Sequence, residues 1–452
     1  MRKVGSSFFF NVWFGLVMMV LALPSNALER QPNADYHARR EALAKKAGGV
    51  VVLFAPLEGG DDVYEFRQEN NFYYLSGQTE PGVALLLAPA TEAKTEAKND
   101  SPARPYTEIL FLPPHNLRLE RYTGPKLGAE NPDAPKITGF DRVEEMGKLP
   151  EEVSKSLGGG RPVVYADVTS GEPAASVPGP LAFLRRSNAV VIFEDVKPML
   201  SSLRTYKDAG EAALLRKAVD ASVAAHFAAF KAVKPAVNER EISALMQYEW
   251  TKRGCERPSY APIVGSGINS TVLHYSEDTN VMNAGDVVVI DAAGEYSMYA
   301  ADITRTLPVN GHFTARQREI YDIVLGAQEA AMAAFQSGKS MLTGDSDASI
   351  NKVAKEYINS HGKDLHGEPL GKYFIHGLGH YLGLHVHDPG DYKAPLGPGA
   401  AFTIEPGIYI PEEKIGVRIE DDYWVDPDGK LIKLSAALPS KADDVEKAMK
   451  GK

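Results

Sequence analysis

The stretch from Val281 to Thr306, VMNAGDVVVIDAAGEYSMYAADITRT, constrains this chain more than any other. A continuous apolar run, Val287 to Ile290, ends on Asp291, and Asp302 opens a second, β-branched run beyond a Gly-containing, Tyr-rich hairpin region. Two carboxylates therefore stand at the edges of buried strands. An isolated buried carboxylate costs several kcal/mol even after relaxation, against about 5–15 kcal/mol for the stability of a whole domain. A fold that keeps both acids inside must bring a cation to them.

The matching pieces lie downstream. His376 and His380 stand in HGLGH, followed by HVHD with His385, His387 and Asp388; Glu405 ends an apolar run in AFTIEPG; Arg418 and Glu420 stand in GVRIEDD. Gly377 and Gly379 make a helix poor around the first pair of histidines, so a loop or strand end is expected there. Arg418 and Glu420, two apart, face one side if their segment is a strand. Two Asp, two Glu and one His form a hard oxygen set with a single imidazole. That set suits divalent manganese, cobalt, zinc or iron and lacks the thiolates of a structural zinc site. Four carboxylates balance two divalent ions, which is the charge pattern of a paired-metal hydrolytic centre.

The order D-x10-D, HGLGH, E-P-G and R-x-E resembles the pita-bread metallopeptidase family, which includes methionine aminopeptidase, aminopeptidase P and prolidase. FRQENNFYYLSG followed by EPG resembles the amino-terminal domain of the aminopeptidase P and prolidase members, which methionine aminopeptidases lack. The resemblance implies an N-terminal α/β domain of creatinase/prolidase type, followed by a pita-bread α+β catalytic domain with an internal pseudo-twofold. It makes Asp291, Asp302, His380, Glu405 and Glu420 the metal ligands, with Asp302 and Glu420 bridging two ions; manganese is the expected metal, with zinc and cobalt as alternatives. It gives His274, His376 and His387 to the substrate, Arg418 to orienting ligands or substrate, and Tyr409 a place near the site. Hydrolysis of the bond before a penultimate proline is the implied activity, with Glu405 taking the proton of the attacking water and His387 and His274 bonding the tetrahedral intermediate. A prolidase restricted to Xaa-Pro dipeptides is the alternative, and a metal-free hydrolase or binding protein on the same fold is a third. His385 departs from the family, whose members often carry Asp there. If its segment is extended, His385 and His387 point to the same side. The resemblance also implies a dimer or tetramer.

Around this centre the chain divides into a leader, residues 1–27, an N-terminal domain, 28–197, and a catalytic domain, 198–440. The leader has a basic start, an apolar core from Phe8 to Leu23 and small residues at Ser25 and Ala27, the pattern of a signal peptide cleaved after Ala27. Its apolar run is shorter than the roughly 20 residues that span a bilayer, so no stable membrane span is expected once it is removed. The net charge of -10 argues against a nucleic-acid partner. Cys255 is the only cysteine, which excludes an intramolecular disulfide.

In the N-terminal domain YHARREALAKKAG reads as a helix, VVVLFA as a strand, FRQENNFYYLSG as a loop and PGVALLLAP as a strand, with further strands at 163–166 and 189–193. ATEAKTEAKNDSPARP, residues 90–105, reads as a solvated insertion. Beyond Pro198 helices are expected from Ala209 to Ala232, from the Asn238 and Glu241 capping box to Gly254, and from the Thr314 and Gln317 box to Phe335. They should pack outside a curved, largely antiparallel sheet. The leader makes one direct prediction: the mature protein begins at Leu28 or within a few residues of it. Mass determination of the secreted or periplasmic form checks this, and an intact leader in a membrane fraction would contradict it.

Overall fold

The computed structural model describes residues 28–58, 66–89, 106–157, 162–168, 179–182, 184 and 191–451. The leader and the insertion at 90–105 lie outside the described residues. The N-terminal half is built on a six-stranded mixed sheet whose spatial order is Arg142–Glu145, Tyr106–Leu112, Ala84–Pro89, Val50–Phe54, Val163–Ala166 and Ile192–Asp195. The inner strands Val50–Phe54 and Ala84–Pro89 read as unbroken apolar runs because both faces of the sheet are covered there. Val51, Leu53, Leu85 and Leu87 join a core that continues into the C-terminal half, while Val50, Val52, Ala84 and Leu86 point into a smaller core on the other face.

Two expectations are corrected here. FRQENNFYYLSG is not all loop: Asn70–Ser76 is a helix, capped by the Glu69 carboxylate accepting the Phe72 N–H at 2.8 Å and ended by Gly77 in the left-handed region. Its aromatic residues obscure any amphipathic pattern because Phe72, Tyr73 and Tyr74 are all buried. The strand expected at 189–193 runs Ile192–Asp195, of which residues 189 and 190 lie outside the described part.

In the C-terminal half the two expected capping boxes form, at Asn238 and Thr314, and start the helices Glu239–Thr251 and Ala315–Ala334; a further box at Asp208, with Glu211, starts Ala209–Ala232. The helix from Glu239 ends three residues short of Gly254, which turns the chain at φ +95°. The strands pair antiparallel in short sheets rather than one continuous one. Val287–Asp291 lies between Ile263–Ser266 and Thr304–Pro308. Ala401–Ile404 pairs with Asp421–Val425, and Gly407–Ile410 forms a hairpin with Ile415–Arg418. A single bridge between Thr304 and Glu420 links the two sets. It brings the end of each set to the same place. Among the described residues no helix is long and apolar enough to cross a membrane.

The halves are tied by buried charge. Asp388 accepts from Arg204 at 2.5 Å and from Lys207 at 3.0 Å, all three being buried, and Arg204 also donates to Asn71 in the N-terminal half. Arg67 pairs with Glu295 at 2.8 Å and donates to the Leu384 carbonyl at 2.9 Å. Removing one partner of such a cluster leaves charge uncompensated in a poorly solvated place. Asp388→Asn should therefore lower stability by about 3–5 kcal/mol, read as a shift of the urea unfolding midpoint, with Arg204 and Lys207 left facing one another.

Candidate active site

The strand ends explain why the acids converge. Asp291 closes Val287–Asp291, Asp302 precedes Thr304–Pro308, Glu405 follows Ala401–Ile404, and Glu420 sits between Arg418 and Asp421 where one strand stops and the next begins. His380 hangs on the edge of Ala401–Ile404, its N–H donating to the Thr403 hydroxyl and its carbonyl accepting from the Thr403 N–H. Its Nδ1–H donates to the Tyr381 carbonyl at 3.1 Å, which turns Nε2 toward the acids. That Nε2 lies 3.2 Å from Asp302 Oδ2 and 3.3 Å from Glu405 Oε1. Asp302, His380 and Glu420 each offer a donor atom within 4.8 Å of the others. Asp291 is held to one side by Tyr260, which donates to Oδ1 at 2.6 Å, and by Arg418, which donates to Oδ2 at 2.6 Å.

This donor set fits divalent metal. Asp302 Oδ1 and Glu420 Oε1 are buried without a hydrogen-bond partner, and a buried carboxylate oxygen left so is expensive unless a cation meets it. Burial, and next the charge of Asp291, raises the Asp302 carboxyl; burial, with Asp302 beside it, pushes Glu420 well above the ordinary range. Glu405 is pushed up to about 7 by burial, with the His380 charge opposing and Asp302 adding. Burial alone would depress His380, yet its hydrogen bond to Asp302 and the charges of Glu405 and Asp302 raise it to about 9. The acids demand positive charge.

A cavity of roughly 450 Å³ opens over these groups, with Leu273, His274, His376, His387, Tyr392 and Arg418 among its walls. Arg418 is buried and spreads its fork over Asp291, the Tyr409 hydroxyl at 2.8 Å and the Thr304 hydroxyl at 3.2 Å. His376 Nε2 meets the same Tyr409 hydroxyl at 2.9 Å. The His387 ring stands edge-on to His380 with centroids 4.3 Å apart. Burial lowers both His376 and His387 to about 4, helped by Arg418 in the first case and His380 in the second. Both rings are neutral near pH 7 and can donate at one nitrogen while accepting at the other.

His385 does not share that direction. Its segment is a turn, not a strand, and its Nδ1 lies 3.0 Å from both the N–H and the carbonyl of His387, so the ring folds back on the turn and is absent from the cavity wall.

Several supporting residues escaped sequence reasoning. Thr304 donates to Glu420 at 2.6 Å, and Thr403 to Glu405 at 3.0 Å. Glu239 looks from sequence like an ordinary first-turn acid, but it is fully buried. It accepts from the Ser266 N–H and hydroxyl, the Tyr275 hydroxyl and the Asn280 N–H, closing the loop that carries His274. Nothing in a local pattern distinguishes such residues, since their partners are distant in sequence.

Arg418→Lys tests the site's organisation. An ammonium cannot reproduce a planar fork that serves Asp291, Tyr409 and Thr304 together. The substitution should lower kcat/KM about 10-fold or more, on the scale usual for groups that orient metal ligands, in steady-state assays accompanied by metal analysis.

Comparison with known proteins places this geometry. Residues 213–427 match metallopeptidase family M24, and residues 36–165 match the aminopeptidase P N-terminal domain. The chain is 33% identical over 442 residues to the Xaa-Pro aminopeptidase of Escherichia coli (strain K12), covering 92% of this chain and 97% of that protein. It is 33% identical over 466 residues to Xaa-Pro aminopeptidase 3 of Mus musculus, covering 94% and 88%. The solved structure of aminopeptidase P from E. coli with the inhibitor Pro-Leu superposes with a TM-score of 0.80 at 32% identity, over 94% of this chain and 99% of that one. With both domains matched and the fold shared, the chain belongs to metallopeptidase family M24.

Proposed function

We propose that the protein is an exported Xaa-Pro aminopeptidase that works with two divalent metal ions. The observation that carries this is the convergence of Asp302, His380 and Glu420 next to a cavity lined by His380 itself, by Asp291 and Glu405, and by His274, His376, His387 and Arg418. Full-length similarity to Xaa-Pro aminopeptidases supports the substrate class. Asp302 and Glu420, each with one buried oxygen that has no hydrogen-bond partner, would be among the residues that hold the ions. Manganese is the proposed metal, with zinc and cobalt as alternatives. Such ions, when bound, supply Lewis acidity and a water acidic enough to ionise near neutrality.

The chain's own residues do the rest. Glu405, on the cavity lining with Oε1 3.3 Å from His380 Nε2, is the carboxylate placed to take a proton from water and pass it on. His387 and His274 stand at the wall to bond an oxygen that gains negative charge, and Arg418 with His376 holds the carbonyl side of the substrate. A penultimate proline has a rigid ring and no amide hydrogen, so it is recognised by shape and by its neighbouring carbonyls. The proposed location is the periplasm or the exterior, and the proposed assembly is a dimer or tetramer.

The decisive assay compares Xaa-Pro-Xaa tripeptides, Xaa-Ala-Xaa tripeptides and Xaa-Pro dipeptides in defined metals. The first should be cut with strong preference over the second; cleavage of dipeptides alone would make the protein a prolidase. Chelation should abolish turnover and manganese restore it at least as well as zinc. Asp302→Asn and Glu420→Gln should each remove activity and lower bound metal by elemental analysis, and near-normal turnover in either would defeat the two-metal proposal.

A further inference from the structure

Two helices on the outside of the catalytic half each send one polar side chain inward to the backbone beside a pair of carboxylates. From Ala209–Ala232, buried His226 places Nε2 3.1 Å from the Ala292 carbonyl and 3.1 Å from the Ile303 carbonyl. These residues directly follow Asp291 and Asp302. From Ala315–Ala334, buried Gln328 places Nε2 2.9 Å from the Ile404 carbonyl and 3.2 Å from the Ile419 carbonyl. These residues directly precede Glu405 and Glu420. The arrangement is repeated across the two halves of the fold: one helix, one donor, two carbonyls, two acids.

We propose that His226 and Gln328 are a matched pair of positioning residues, each a cross-brace that fixes the spacing of one pair of metal-binding carboxylates. The chemistry of each fits. His226 Nε2 has only carbonyl neighbours, so it carries the hydrogen and shares it between them, while Nδ1 has no partner. Burial, and after it the Arg305 charge, lowers this histidine to about 4, so the ring remains neutral and the brace remains a neutral donor. The Gln328 amide has two N–H groups for three acceptors, the third being Asp421 Oδ2 at 3.0 Å, so it also ties Asp421 to the same bundle. Neither side chain lines the cavity.

The reason for such braces lies in the acids themselves. Asp291 and Asp302 lie on adjacent segments, as do Glu405 and Glu420, and like charges in a buried site push those segments apart whenever no cation lies between them. A backbone brace opposes that separation without itself carrying charge into the site. It acts on the metal-binding geometry, not on the reacting atoms, and the proposal rests on the reading of these acids as metal ligands.

The test is chelator competition on the Mn²⁺-loaded full-length protein, read without any substrate, so that a wrong assignment of the peptide substrate leaves the result interpretable. His226→Met and Gln328→Met remove the donor while roughly preserving volume. Each should weaken Mn²⁺ binding about 10-fold or more, the usual scale for outer-shell partners of metal ligands. His226→Gln, which restores an amide donor of the kind its counterpart uses, should recover most of the affinity. Thermal unfolding of the same proteins separates positioning from mere stability. Lower unfolding temperatures with unchanged Mn²⁺ affinity overturn the proposal, as does a His226→Gln variant no better than His226→Met. If either Met variant fails to fold, His226→Asn and Gln328→Asn, whose shortened donors fall short of the paired carbonyls, decide it: weaker Mn²⁺ binding is expected in both, and affinities equal to wild type in both would overturn the brace. Absence of any Mn²⁺ binding by the wild type would instead remove the metal reading on which the proposal stands.

Discussion

Mutual repulsion among buried carboxylates is the constraint on which the catalytic half depends. Asp302, Glu405 and Glu420 are all raised by burial and by neighbouring carboxylates, Asp302 by Asp291 and the two glutamates by Asp302, and two of their oxygens lack a hydrogen-bond partner. A fold built only for stability would place apolar residues there, because breaking even or losing is the usual outcome for buried charge. The surrounding structure instead offsets the repulsion locally: Arg418 neutralises Asp291, hydroxyls from Thr304 and Thr403 satisfy one oxygen each of Glu420 and Glu405, and His380 takes a position between Asp302 and Glu405. What remains is charge suited to divalent cations.

That centre was legible in the sequence because its donors are few, chemically uniform and attached to motifs that mark strand ends. Asp291 closes an apolar run, Glu405 follows another, and HGLGH puts glycines where His380 must lie close to a neighbouring backbone. An added Cβ at Gly379 would sit 2.0 Å from the Thr403 carbonyl oxygen, so a larger residue would push the His380 segment off its strand. Two helix starts were equally legible, since a capping box is a local signature and those at Asn238 and Thr314 are both present. The braces were not. His226 lies within an Ala-rich helix and reads as a core residue, and its partners are 66 and 77 residues away. Gln328 is likewise indistinguishable from a surface glutamine until the helix is docked. The Asn70–Ser76 helix was missed for a related reason: it is buried on all sides, so no polar face reveals its period.

His385 shows where motif logic fails in a more specific way. A two-residue alternation assumes an extended chain, but Gly383, Leu384 and the residues to Asp388 form a tight loop closed by the Asp388 N–H on the Tyr381 carbonyl. In a loop the side chain that bonds its own backbone wins over alternation. His385 Nδ1 reaches the backbone of His387, two residues on, in the manner by which Asp and Asn stabilise turns. The replacement of an acid at this point therefore changes the chemistry of the turn more than the lining of the cavity.

The position of that turn explains what the N-terminal half contributes. The clustered acids belong wholly to the catalytic half and are held by its own strands, hydroxyls and Arg418. The His387 turn is different. Its start is gripped by Arg67 through the Leu384 carbonyl, and its end by Arg204 through Asp388, with Arg204 also fastened to Asn71. Both Arg67 and Asn71 lie in FRQENNFYYLSG, the stretch whose helix is packed by aromatic residues into the core shared between the halves. The carboxylate cluster and the cavity-lining His387 ring are thus supported by separate parts of the molecule. The ligand cluster does not depend on the interface for its geometry, whereas the ring that stands edge-on to His380 is set by contacts that cross it.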